Sequence, residues 1–498
     1  MSAGLEPPRG VPTVFGLGRR ALSLGAANAF DYAFQFLLPV VLARCLDPSA
    51  FGQYRLLWLA VGTVMAVVTM AMPGSLYYFL PRSEGATKRL YINQVLLFLA
   101  ATGLIAAWAV SSWNPWLPEK MRDLASHEAI LPLFVLLWLV ALLLDLLPTV
   151  EERVAWQAKA TIGLAALRAV ALSLAAILTR ELEPVLLVLL AFAAFKVILL
   201  LGYVARYHGL RGPLLQWRTF YDQLRYAAPN GAAGALYGLR FQADQWVAAT
   251  LFSVGMFASF SIATVLGPLV QLCRQSVFHA FLPSLSRLQA VGDIPGMVKL
   301  NSRANVMIGV LVCPLLAFAF VFAEEMVTII YTAAYLDAAP VMRVSIVGLA
   351  ALIFDLTSIM LILRQGAFMM QVSMIMLVVS ATISWLSAHA FGLAGATAGT
   401  VVAIYVDYIV ALRRIASRTG IPVRRLHDWR TLGLLMLFAA LSAAFAWSVV
   451  GRYFAANAPL VRLMVGGALL AAVYAAMVAL LALGRGWFAA VRNFEHGL

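Results

Sequence analysis

Apolar residues run along this chain in about fourteen stretches, each near the length that crosses a bilayer, and the polar gaps between them rarely exceed about twenty residues. In hydrocarbon every backbone N–H and C=O must be satisfied within its own segment, so about 20 apolar residues cross as a helix. The stretches fall at roughly 21–43, 51–80, 90–113, 129–150, 156–179, 184–206, 224–251, 255–285, 300–323, 338–363, 367–388, 392–416, 431–450 and 460–483. Turn residues mark the cuts, among them Asp47-Pro48, Pro73-Gly74, Asn114-Pro115, Gly292-Asp293 and Gly420-Ile421-Pro422. The pattern predicts an all-α polytopic membrane protein of about 14 transmembrane helices. It leaves no room for a soluble catalytic domain.

The charges between spans set the orientation. One set of gaps holds Arg82, Lys88 and Arg89, then Arg206, Arg211, Arg218 and Arg225, then Arg287, Lys299 and Arg303, and finally Arg413, Arg414, Arg418, Arg424, Arg425 and Arg430. The opposite set is poor in bases and carries Glu119, Asp123, Glu128, Glu181, Glu183, Glu324, Glu325 and Asp337. By the positive-inside rule both termini are expected in the cytoplasm. Arg19-Arg20 precedes the first run, which has no clear cleavage site and reads as an uncleaved first helix.

Composition agrees, with 63% hydrophobic and 12% charged residues and a mean hydropathy of +0.90; a soluble domain carries about 25% charge. The net charge of +14 is spread over alternate loops, which excludes a nucleic-acid-binding patch. Cys45, Cys273 and Cys313 are far apart in apolar surroundings, so they read as small hydrophobes without metal-ligand spacing. No phosphate loop is present. No cofactor, metal or catalytic residue is expected.

Leu46-Asp47-Pro48-Ser49-Ala50-Phe51-Gly52-Gln53-Tyr54 resembles the segment from Leu251 to Phe260 about 206 residues later, with Phe51 and Tyr54 matching Phe257 and Phe260. Six spans separate the copies, so both have the same orientation, as expected of parallel halves. The expected organisation is a six-helix lobe at 1–206, a cytoplasmic linker at 207–223 that lets the halves rock, a second six-helix lobe at 224–416, and an extra two-helix segment at 417–498.

The chain resembles the polysaccharide flippases, O-antigen type, of the multidrug/oligosaccharidyl-lipid/polysaccharide exporter superfamily. The resemblance is carried by Val41–Tyr54, by Arg240-Phe241-Gln242-Ala243-Asp244 leading into Phe257-Ala258-Ser259-Phe260, by Ile329–Ala339, and by Phe391–Thr400. It extends over nearly the whole chain; one departure is that no glycine stands near Tyr331-Thr332. It implies two six-helix lobes in a V around a central cavity, two further C-terminal helices, and outward movement of undecaprenyl-diphosphate-linked sugars across the bacterial cytoplasmic (inner) membrane. It also implies a place in O-antigen or exopolysaccharide synthesis, beside glycosyltransferases or a glycan polymerase. A monomer is expected.

Charges in mid-span face protein, water or ligand, because lipid does not solvate them. Arg168, Arg240 and Arg274, with Gln271 and His279 beside Arg274 on its helix, are the candidate substrate-binding residues. Arg240 and Asp244 are spaced i,i+4, which suits either an intrahelical pair or a guanidinium fork for a diphosphate held by Asp244. Arg274 fits either a hydrated cavity wall or a helix–helix hydrogen bond. Asp31 fits a coupling H⁺ or Na⁺ or a salt bridge to the opposite lobe, and Asp244 is likewise a candidate for a coupling ion or a structural pair. Asp355 and Asp407 read as internal pairs, and Lys196 as a residue that snorkels or pairs. Two other functions compete: an ion-coupled small-molecule or multidrug exporter of the same superfamily, and a membrane glycan polymerase or ligase. The 114–128 gap, with Lys120, Arg122 and His127, is short for the second.

Overall fold

The computed structural model describes residues 14–115, 130–209 and 212–484, and every element among them is helical. The long helices are α1 (Val14–Cys45), α2 (Pro48–Val68), α3 (Gly85–Ala109), α4 (Ile130–Ala141), α5 (Val154–Thr179), α6 (Leu182–His208) and α7 (Trp217–Leu251). They continue with α8 (Val254–Ala263), α9 (Leu266–Ala290), α10 (Ile294–Val321), α11 (Ala323–Ile330), α12 (Ala338–Ala351), α13 (Thr357–Ile362), α14 (Gly366–Gly395), α15 (Ala398–Thr419), α16 (Trp429–Tyr453) and α17 (Pro459–Gly484).

Eleven described helical segments are long and apolar enough to cross a membrane. Three stretches from the expected fourteen fall outside that set. They are α7, α15 and the run formed by α12 and α13, and each has a physical reason. α7 carries Arg240 and Asp244, α15 carries Asp407, and the third run is broken after fourteen residues, at Ala351.

The chain divides into two compact units, Met1–Ala235 and Leu236–Leu498. The division falls inside α7, downstream of the 207–223 segment expected as the linker. In the first unit α1 packs on α5, α3 on α4, and α4 on α6. Here the segment after residue 211 is tied down: Asn93 Nδ2 donates to the Pro213 carbonyl (2.8 Å) and Gln94 Nε2 to Gln216 O (3.0 Å) and Thr219 Oγ1 (2.9 Å). Arg211 and the 116–129 segment with Lys120, Arg122 and His127 lie outside the described residues. In the second unit α9 packs on α10, α14 on α15, and the C-terminal pair α16 and α17 on each other and on α10. The C-terminal helices therefore share the second unit's core, in which Phe322, Ala443, Ala446, Val450 and Leu470 meet.

The repeat is visible in backbone geometry. Asp47 caps α2 by accepting from Ala50 N (3.2 Å), and Ser253 caps α8 by accepting from Met256 N (3.3 Å), at the same register 206 residues on. The aromatic positions that follow are buried in both copies: Phe51, Tyr54, Phe257 and Phe260 are at most 3% exposed. A short polar side chain satisfies an otherwise orphaned N–H of the first turn, while the aromatic pair anchors that turn in the core.

Several spans are interrupted. α2 stops at Val68, and Met70 and Ala71 take left-handed φ of 46° and 52°, a conformation costing about 1–2 kcal/mol at each non-glycine residue. Gly231 of α7 lies directly against the Met70 backbone, where a Cβ would sit 2.3 Å from its carbonyl carbon. The fourth span passes into a 3₁₀ turn at Leu142–Asp145, and the tenth breaks between Ala351 and Thr357. Each of these two breaks carries an aspartate, Asp145 and Asp355.

Candidate functional site

Buried charge in the second unit is organised around α7. Arg240 is ion-paired with Asp407 of α15, and both are mostly shielded, at 9% and 26% side-chain exposure. One turn further along α7, the Asp244 carboxylate meets the Thr400 hydroxyl and accepts from the Gln245 backbone N–H (2.8 Å). Arg240 and Asp244 thus share a helix face, as their spacing suggests, but each takes its partner from α15.

Behind Thr400, α14 and α15 approach closely because Gly399 has no side chain; a Cβ there would lie 2.1 Å from Ser380 O and 2.4 Å from Ser384 Oγ. The hydroxyls of Ser380, Ser384 and Thr397 are buried without protein partners. A buried hydroxyl without a partner costs roughly 1–3 kcal/mol, so this close approach of α14 and α15 is held by backbone packing at a cost in unsatisfied oxygens.

A second centre lies around α9. Arg274 Nη1 pairs with Asp355 Oδ1 (3.1 Å) and its Nη2 donates to Gln271 Oε1 (2.9 Å). The break that carries Asp355 is fixed from α10: Asn305 Oδ1 accepts from the Asp355 N–H (3.0 Å), and Asn301 Nδ2 donates to the Asp355 carbonyl (3.3 Å). That assignment points the Asn305 amide nitrogen at His427 Nδ1, 3.2 Å away, so Nδ1 accepts and the ring proton sits on Nε2. His427 stands outside the spans, between α15 and α16, enclosed by Phe354, Tyr408 and Trp429. Burial there pushes its pKa down to about 4. The side chain of His279 lies outside the described residues.

Charges in the first unit pair among themselves. Arg168 Nη2 is 3.4 Å from Asp31 Oδ1, and Gln35 donates to Asp31 Oδ2 (2.7 Å). Asp31 finds its base on α5 of its own unit. Lys196 of α6 pairs with Asp145 (2.6 Å) above the Trp138 ring. Between the fourth and fifth spans, Glu151 accepts from Tyr203 and pairs with His208. Burial alone would raise its pKa, but those two hydrogen bonds and the Arg153 charge hold it below the ordinary value.

Sequence reasoning selected Arg168, Arg240, Arg274, Gln271, Asp31 and Asp244, and the structure gives each of them a polar partner inside its own unit. It missed Asn301, Asn305 and His427. The signal was available in part, since Asn301 and Asn305 are polar residues at i,i+4 in an otherwise apolar helix. Among the described residues, no group of three His, Cys, Asp or Glu side chains could hold a metal ion.

A sequence family described as polysaccharide biosynthesis protein matches residues 41–340. No curated protein matches the chain by sequence. Among solved structures it is similar to the lipid II flippase MurJ in an inward closed conformation, with a TM-score of 0.70 and 11% identity over 93% of this chain and 99% of that one. It is also similar to an inward-facing multidrug resistance MATE family transporter of the MOP superfamily, with a TM-score of 0.58 and 13% identity over 78% of this chain and 96% of that one. A third is the MATE multidrug transporter DinF-BH, with a TM-score of 0.55 and 13% identity over 84% of this chain and 100% of that one. At these identities the likeness establishes the fold, that of a multi-pass membrane protein.

Proposed function

The chain belongs to the polysaccharide biosynthesis protein family, and from that membership we propose that it is a flippase. Its cargo is an oligosaccharide on a polyprenyl-diphosphate carrier, moved to the outer leaflet of the bacterial cytoplasmic membrane, with both termini in the cytoplasm. The observation that carries this reading is the family match across 300 residues, 41–340, in a chain with three aspartate-paired arginines in mid-span.

No bond need be made or broken. The head group must instead exchange hydration for fixed donors, and a guanidinium offers a planar fork that matches phosphate oxygens. Arg168, Arg240 and Arg274 each rest on one aspartate. That pairing keeps the empty protein neutral at depth, where an unpaired charge is costly. A diphosphate draws the arginine away from its aspartate, so binding and release become partner exchange, with alternating access of the two halves carrying the head group across.

Asp244, buried and facing Thr400 of α15, is proposed as the coupling-ion group for H⁺ or Na⁺. Asp31, already held by Arg168 and Gln35, is assigned the structural role. Polymerase or glycosyltransferase partners act on the same lipid-linked glycan before and after its passage. The same Asp244 carboxylate also favours a second reading, an ion-coupled exporter of small organic cations. A deletion strain separates them. Under the first reading it accumulates lipid-linked oligosaccharide on the cytoplasmic leaflet and keeps its drug resistance. Normal glycan with lost resistance overturns it.

A further inference from the structure

An apolar groove in the second unit is absorbed by none of these roles. It has a volume of about 690 Å³ and is walled by α10, α12, α15 and α16. Of its lining, Cys313, Ile353 and Ala439 are buried, Met436 is half-buried, and Phe320, Val347 and Trp447 are exposed. Two side chains in the lining are polar. The Tyr405 hydroxyl is spent on the Val347 carbonyl (2.9 Å). Arg343 stands near the start of α12, donating from Nε to Phe320 O (3.1 Å) and from Nη2 to Glu324 Oε1 (3.0 Å). Its Nη1 has no partner among the described residues.

We propose that this groove is a binding site for a membrane phospholipid, with one acyl chain along the groove and the phosphate on Arg343. Three observations argue for it. The walls offer a guest almost nothing but hydrocarbon, so in a bilayer the groove fills with a lipid chain. Its length selects the chain: Met436 and Trp447 lie eleven residues apart on α16, a rise of about 16 Å, against a hydrocarbon core of about 30 Å. The groove therefore accommodates the depth of one leaflet, which suits an acyl chain and is short for a long polyprenyl tail. Finally, the one cation stands at the end nearest the membrane surface, within two turns of the α12 start, where a phosphate resides. Glu324 is 59% exposed, so it can give up Arg343 to a lipid phosphate. With cytoplasmic termini this is the outer leaflet. The lipid would brace α16 against α10, which ties the C-terminal helices to the rest of the unit.

The test is native mass spectrometry of the full-length protein released from phospholipid nanodiscs. Wild type is expected to retain one phospholipid per chain. Ala440→Phe and Ala444→Phe place a ring in the groove from exposed positions outside the packed core, and both should lose that adduct while remaining folded and monodisperse. Arg343→Gln should lower its retention about tenfold, the scale of one hydrogen bond to a charged group. Equal retention in wild type and the two phenylalanine variants overturns the proposal. So does an adduct with the mass of a polyprenyl phosphate, or of detergent alone.

Discussion

Arg240 on α7 is ion-paired with Asp407 on α15, and these two helices are among the stretches too polar to meet the length and apolarity of a simple membrane span. Each of the two charges therefore depends on the other for its burial. A pair of this kind contributes little compared with a well-packed apolar pair, but removing one partner leaves the other charge stranded.

Arg240→Met or Asp407→Leu alone is expected to destabilise the protein by about 3–5 kcal/mol, and the double variant to recover most of that loss. Thermal melting in a fixed detergent measures it. Activity divides the roles: if Arg240 meets the diphosphate, the double variant is stable but does not transport. A stable double variant with wild-type transport removes Arg240 from the substrate path.

Arg274 tests the same logic with a more elaborate support. Asp355→Asn keeps the shape while removing the charge that holds Arg274 and leaves it the Gln271 contact. Transport is expected to fall about tenfold or more, on the scale of a hydrogen bond to a charged group. Asn305→Ala should follow it in direction, because it frees the Asp355 backbone and removes the His427 contact. Unchanged transport in both variants makes this centre purely structural.

His427 gives the pH dependence its sign. The folded protein holds it neutral, with a pKa near 4, while an exposed histidine titrates near 6.5. A depressed histidine contributes stability above about pH 6.5, and that contribution is lost as the pH falls from there toward 4. The full term is on the order of 3 kcal/mol. Wild type should therefore lose more melting temperature between pH 7.5 and 5 than His427→Gln does. Parallel losses in both proteins contradict the assignment.

The paired caps predict matched costs. Asp47→Ala and Ser253→Ala each delete the one side-chain acceptor at a helix start and should each cost about 1 kcal/mol. A large effect at one site with none at the other would show that the two turns are not equivalent parts of a repeat.

Much of this was legible in the sequence. Spans follow from apolar length, and the repeat from Asp47 and Ser253 standing before matched aromatic pairs. The mid-span charges stand out because lipid tolerates so few. Their partners were hidden. Spacing on one helix joins Arg240 to Asp244, yet the facing helix decides the contact, and α15 supplies Asp407 to one and Thr400 to the other. The break at Met70–Ala71 is equally silent, since neither residue prefers a left-handed backbone; it persists through the close approach of Gly231, 160 residues away. His427 lies among loop arginines, and of the aromatic enclosure that keeps it dry only Trp429 is near it in sequence, while Phe354 and Tyr408 arrive from distant segments.

The most direct measurement uses purified protein in vesicles, following movement of polyprenyl-diphosphate oligosaccharide between leaflets by accessibility of its sugars to an external glycan-modifying enzyme. Wild type should speed the exchange well above protein-free vesicles, and Arg240→Met/Asp407→Leu should return it to that background. No acceleration by wild type, in vesicles where the same preparation drives uptake of an organic cation against an ion gradient, contradicts the flippase account.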